Sequence, residues 1–138
     1  MTILFVCVHN AGRSQMAEAL LRHLALQKGI TVVAQSAGTL GGGNLNPRAV
    51  EALTELGVSM EGCYPKALTQ QLADGADRII SMGCGVDAEA CPAKFLVTED
   101  WGLDDPAGQP LDEVRRIRDQ IQVRVKALID ELSGPHSA

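Results

Sequence analysis

Cys7 is followed by Val8, His9, Asn10, Ala11 and Gly12 and then by Arg13 and Ser14, so a thiol and a guanidinium bracket a short stretch of backbone. That much chain can wrap a tetrahedral oxyanion with its N–H groups pointing inward, and a helix starting near Arg13 adds its positive end. Arg13 supplies a planar, two-pronged clamp. The same field favours the thiolate, the nucleophilic form of cysteine, and Ser14 is placed to donate a hydrogen bond to it. The chemistry on offer is attack by Cys7 on the central atom of a phosphate-like group. Cys84, Cys91 and the Asp104, Asp105, Pro106 run are the other positions with reactive side chains.

The elements that must position these groups are legible as alternating strands and helices. Residues 2–6 form an apolar, β-branched and aromatic run without polar alternation, which suits a parallel strand buried on both faces. Arg13 to Lys28 carries Met16, Leu20 and Leu24 with Ala17 and Leu21 at helical spacing, and Gly29 stops it. A second strand is expected over 31–38. A glycine-rich loop then ends at Asn46 and Pro47, a cap and first position for a helix over 48–56. Thr69 can cap a short helix through Asp74. Residues 77–83 and 94–100 read as strands three and four, and Val114, Ile117, Ile121, Val125, Leu128 and Leu132 stripe a last helix ended by Gly134 and Pro135. Alternation of this kind implies a parallel sheet covered on both sides. In such sheets ligands bind beyond the carboxyl ends of the strands. Cys7, Cys84 and the Asp104, Asp105 pair follow strands one, three and four and so converge on one rim.

Composition bounds the rest. With 138 residues and 46% hydrophobic side chains, the chain is expected to fold as a single domain, 1–138, with an adequate core. A net charge of -5 argues against nucleic acid, whose phosphates need clustered Lys and Arg. No apolar run approaches the ~20 residues of a membrane span. The amino-terminal residues lack a basic segment and cleavage site, so a cytoplasmic location is expected. The spacing of Cys84 and Cys91 does not fit a zinc site with His9, His23 and His136, the adequate core and the absence of a signal peptide argue against a secreted disulfide framework, and no metal is expected. Arg115, Arg116 and Arg118 are read as the solvated face of the last helix, with Glu113 and Asp119 as neighbours.

Over almost its full length the sequence resembles the low-molecular-weight tyrosine phosphatase superfamily, through Cys7 to Ser14, Ser36 to Gly38, Asn46 with Pro47, and Asp104 to Gly108. That resemblance implies an α/β three-layer sandwich with a four-stranded parallel sheet in the order 2-1-3-4. Within the superfamily the chain looks most like thioredoxin-coupled arsenate reductases. Their loop cysteine is paired with two more after strand three, spaced as Cys84 and Cys91 are, and Trp101 to Gly108, Arg13 to Glu18 and Arg116 to Ile121 add to the likeness.

The resemblance implies a relay. Cys7 displaces a hydroxyl from arsenate with Asp105 as acid, Cys84 attacks the Cys7 sulfur as arsenite leaves, and Cys91 then takes over the disulfide for reduction by thioredoxin. A low-molecular-weight thiol is the alternative donor. Arsenic detoxification by a monomer, with weak residual phosphatase activity, is the implied setting, and Val8 to Ser14 would bind the oxyanion. A regular helix over 84–91 would hold the two Cα atoms about 10 Å apart, beyond the about 7 Å that a disulfide spans. An order change across 83–92 on oxidation is therefore expected.

Departures from the family pattern carry information too. Gly12 stands where phosphatase members often have a second cysteine, which leaves resolution to Cys84. Asn10, Glu18 and Ser36 match three ligands of a potassium site in some reductases, but Lys66 falls at the fourth, where its ammonium can replace the ion. Asn10 is expected to hold the loop's backbone, His9 to tune charge at the rim, Asp104 to be structural and Cys63 to stand outside the relay. The rival readings are a tyrosine phosphatase, disfavoured by few aromatic residues to sandwich a phenyl ring, and a non-enzymatic oxyanion-binding module, which leaves a complete nucleophile, clamp and acid unexplained.

Overall fold

The first strand, β1 (Thr2–Cys7), is buried without a break from Ile3 to Cys7. Its side chains alternate between two cores. Ile3, Phe5 and Cys7 join the larger one, whereas Leu4 and Val6 join a smaller one on the opposite face. An uninterrupted apolar strand is therefore the middle layer of three.

The computed structural model describes residues 1–39, 42–82 and 99–133. After β1 come α1 (Arg13–Lys28), β2 (Val33–Gly38), α2 (Pro47–Thr54), α3 (Gln70–Gly75), β3 (Arg78–Ser81), β4 (Glu99–Asp100) and α4 (Leu111–Ser133). The sheet is parallel throughout, in the order β2-β1-β3-β4. This is the α/β three-layer arrangement and strand order expected from the sequence.

Helices α1, α2 and α4 cover one face. They contribute Met16, Leu20 and Leu21, Ala49 and Leu53, and Ile117, Ile121, Val125 and Leu128 to the larger core. The smaller core is closed by Leu68 and by Ala73 of α3. Trp101 packs its ring against Phe5 at 5.4 Å between centroids, which ties the segment after β4 to the centre of the sheet. None of the helices among the described residues is long and apolar enough to cross a membrane.

Local signals set most element ends. Gly29 terminates α1 in the left-handed conformation, φ 67°. Asn46 caps α2 by accepting from the Arg48 N–H at 3.0 Å, with Pro47 in the first turn, and Thr69 caps α3 through the Leu72 N–H at 3.1 Å. Several boundaries differ from expectation. Strand β2 starts at Val33, where its N–H bonds the Met1 carbonyl, rather than at 31. Helix α2 ends at Thr54 instead of 56, and β3 is confined to Arg78–Ser81. The described part of strand four is Glu99–Asp100, and 94–98 lie outside the described residues.

The arginine cluster of α4 needs a correction. Arg115 and Arg116 are at the surface, but Arg118 is only 9% exposed. It donates to the Ala52 carbonyl at 2.9 Å and to Glu55 at 2.8 Å, and so ties α4 to the end of α2. A helical wheel places Arg118 beside Ile117 and Ile121, but it cannot show that another helix end supplies acceptors there.

Candidate active site

Cys7 ends β1 at the carboxyl rim of the sheet, 4% exposed, and the chain then turns through residues 8–12 into α1. Its sulfur accepts the Asn10 N–H at 3.1 Å and lies 2.8 Å from Ser14 Oγ. Asn10 Nδ2 donates to that same Ser14 oxygen at 2.8 Å. With a lone pair occupied by the amide, the Ser14 proton is free to point at sulfur. The Asn10 N–H and the Ser14 hydroxyl thus both meet the sulfur.

The loop is pinned by contacts remote in sequence. Asn10 adopts a left-handed conformation, φ 56°, which asparagine tolerates better than most residues. Its Oδ1 accepts from Gln15 Nε2 at 2.9 Å and from the Lys66 N–H at 3.0 Å. The Asn46 N–H bonds the Ala11 carbonyl at 2.8 Å, and Gly38 packs so closely that a Cβ there would stand 2.5 Å from the Val8 carbonyl oxygen. Sequence reasoning assigned no part in the site to Gln15 or Gly38. A glycine ending a strand that neighbours a loop-forming strand is a usable signal of close backbone approach; nothing in the sequence marks Gln15.

Arg13 is 6% exposed. Its Nη1 donates to the carbonyls of Met82 at 3.1 Å and Leu103 at 2.7 Å, and its Nη2 lies 3.7 Å from Asp105 Oδ2. The clamp is therefore oriented by the ends of β3 and of the segment after β4. Arg13 Nε is buried with no hydrogen-bond partner among the described residues. A buried, charged donor left unpaired is costly unless a ligand satisfies it.

Asp105 is half exposed and accepts the Ala107 N–H at 2.9 Å, which holds it in a tight turn. Asp104 points elsewhere, to Arg116 at 2.9 Å. Cys7, Arg13 and Asp105 line one cavity of about 250 Å³, with Ala11, Gly12 and the exposed His9. Asn44, Asn46 and Pro106 form more of its wall, and none of the described residues there is Phe, Tyr or Trp. Val8 contributes backbone beside Gly38, and Ser14 stands behind the sulfur.

Glu18, Ser36 and Lys66 also come together. Glu18 is buried, accepts Ser36 Oγ at 3.1 Å, and pairs with Arg22 at 2.9 Å and with Lys66 Nζ at 3.7 Å. Partial burial by itself lowers Arg22, but the Glu18 charge and hydrogen bond hold it above its ordinary value. Two cations already answer one carboxylate, so these residues do not fit a bound potassium ion. Cys63 is half buried, with its sulfur 3.9 Å from Glu18 Oε2, in a separate cleft that includes none of residues 7–14. Cys84 and Cys91 lie outside the described residues.

Residues 2–137 match the family described as low molecular weight phosphotyrosine protein phosphatase. The glutaredoxin arsenate reductase of Synechocystis sp. is 34% identical over 132 residues, 95% of this chain and 98% of that protein. Among solved structures, the thioredoxin-dependent arsenate reductase of Corynebacterium glutamicum is 36% identical with a TM-score of 0.74, covering 95% of this chain and 61% of that one. YwlE arginine phosphatase, from Bacillus subtilis, is 27% identical with a TM-score of 0.82, covering 99% of both chains, and carries a phosphorylated active-site serine in a mutant form.

Proposed function

Because the chain belongs to the low molecular weight phosphotyrosine protein phosphatase family and is homologous to several arsenate reductases, we propose that it reduces arsenate to arsenite with electrons from thioredoxin. The observation that carries this reading is a hydrogen-bonded Cys7 sulfur beside Arg13, whose buried Nε has no partner among the described residues, at a small cavity whose described walls hold no Phe, Tyr or Trp. Such a cavity suits a bare tetrahedral oxyanion. An aryl phosphate would find little to stack on.

In this reading the amides of residues 8–14 and the Arg13 fork bind arsenate, and Cys7 attacks arsenic as the thiolate. A hydroxide leaves as water with the proton of Asp105, and an S–As(V) bond remains. The Cys84 thiolate then attacks the Cys7 sulfur. The S–As bond pair passes to arsenic, arsenite departs, and a Cys7 to Cys84 disulfide is formed. Attack of Cys91 on Cys84 releases the Cys7 thiolate and moves the disulfide to Cys84 and Cys91, where two thiols of thioredoxin reduce it by exchange. This role fits a reducing compartment such as the cytoplasm and a task in arsenic detoxification.

A phosphatase of the same fold would use the same Cys7, Arg13 and Asp105. It would have no need of Cys84 or Cys91. The deciding measurement is arsenate-dependent NADPH oxidation with thioredoxin and its reductase, beside Cys84→Ser and Cys91→Ser. Multiple turnover should be lost in both variants. Wild-type inactivity toward arsenate, together with phosphate-ester hydrolysis that survives both substitutions, would establish the phosphatase instead. Activity restored by glutaredoxin or a low-molecular-weight thiol but not by thioredoxin would reassign the donor.

A further inference from the structure

Gly12 is the last loop residue before α1 and faces the turn that carries Asp105. A Cβ built on it would stand 2.7 Å from Pro106 Cγ and 3.6 Å from Pro106 Cδ. Pro106 is buried, although Asp105 and Ala107 on either side are exposed. Nonbonded carbons rest about 3.5–4.0 Å apart, so a side chain at position 12 needs about 1 Å more separation between the loop and the ring. The ring cannot fold away, because proline's side chain is closed onto its own backbone.

Other ties act on the same turn, and Arg13 Nη2 lies 3.7 Å from Asp105 Oδ2 itself. Arg48 Nη1 donates to the Gln109 carbonyl at 2.6 Å, Arg116 holds Asp104 at 2.9 Å, and Asn46 Nδ2 reaches the Pro106 carbonyl only at 3.4 Å. They secure the turn to α2 and α4, while the contact with Gly12 sets how closely it approaches the Cys7 loop.

We propose that Gly12 is a positioning residue for Asp105: the space left by its missing side chain seats Pro106 against the oxyanion loop and thereby fixes the distance from the Asp105 carboxyl to Arg13 and to the departing oxygen. This rests on the reading of Asp105 as proton donor. It gives Gly12, which stands where phosphatase members often have a cysteine, a mechanical role beyond the loss of an in-loop disulfide.

The test is a double-mutant cycle of Gly12→Ala and Pro106→Ala, read on arsenate reduction and on p-nitrophenyl phosphate hydrolysis, since both need a proton at the leaving oxygen. Gly12→Ala should lower kcat by about 10- to 100-fold, the size expected of a misplacement near 1 Å, while inhibition by inorganic phosphate is retained. Added to Pro106→Ala it should cost little, because the obstructing ring is already gone. A crystal structure of Gly12→Ala should show the Pro106 ring displaced from the loop. An unmoved ring, or the same further loss of kcat in both backgrounds, would overturn the proposal. A wild-type chain that hydrolyses the ester without reducing arsenate would remove the proposed reaction and leave the cycle to be read on the ester.

Discussion

At the scale of single residues, the site is a chain of hydrogen bonds that ends on one sulfur. Lys66 and Gln15 donate to Asn10 Oδ1, Asn10 Nδ2 donates to Ser14, and Ser14 lies 2.8 Å from Cys7 Sγ. Ser14→Ala removes the hydroxyl and leaves the Asn10 amide without that acceptor. Hydrogen bonds to charged groups are worth about 1.5–3 kcal/mol, so turnover should fall by about tenfold or more. Steady-state kinetics with phosphate as a competitive inhibitor checks this: kcat should drop while the inhibition constant changes little. A phosphate constant that weakens in step with kcat would mean that Ser14 shapes the loop rather than serving the sulfur.

At the scale of elements, the rim depends on how α4 is fastened, because the turn carrying Asp105 leads into it. Glu55, the C-cap of α2, receives Arg115 through Nε at 3.0 Å and Nη2 at 2.6 Å and Arg118 through Nη1 at 2.8 Å. The Arg115 hydrogen bonds hold the Glu55 carboxyl below its ordinary value of 4.5, against the opposing effect of desolvation. A carboxyl depressed in the folded state contributes stability that is present above the unfolded value and is lost as pH falls through the folded one. Glu55→Gln should therefore lower stability at pH 7 and flatten the acid side of the stability profile below about pH 4.5. Urea unfolding at several pH values reads it. Parallel profiles for the two proteins would mean that the bridge adds nothing to stability, as exposed ion pairs often do.

At the scale of the whole molecule, the parallel sheet gathers strand ends on one rim. The described structure brings Cys7, Arg13, Met82, Leu103 and Asp105 together there, from segments as far apart as 98 positions in the chain. The proposed relay also needs Cys84 and Cys91, which follow β3, to meet sulfur on that rim and then each other. Because a regular helix would hold their Cα atoms too far apart, oxidation should reorganise residues 83–92. Hydrogen exchange measured on reduced and oxidised protein should differ in this segment and agree across β1 and α1. Identical protection over 83–92 in both states would remove the relay from the mechanism.

What the sequence determined by itself is what near neighbours control. The unbroken apolar run of β1, the helical spacing and glycine stop of α1, and the Asn46 and Thr69 caps all follow from contacts within a few residues. The family resemblance extended this to the strand order. The tertiary structure alone decided which distant groups complete those pieces: Gly38 beneath the loop, Gln15 and Lys66 on Asn10, the carbonyls that aim Arg13, the ring of Pro106 on Gly12, and the burial of Arg118. The physical reason is that periodicity records which face of an element is apolar, whereas the identity of a partner across the sheet depends on register and layer packing that no local spacing encodes.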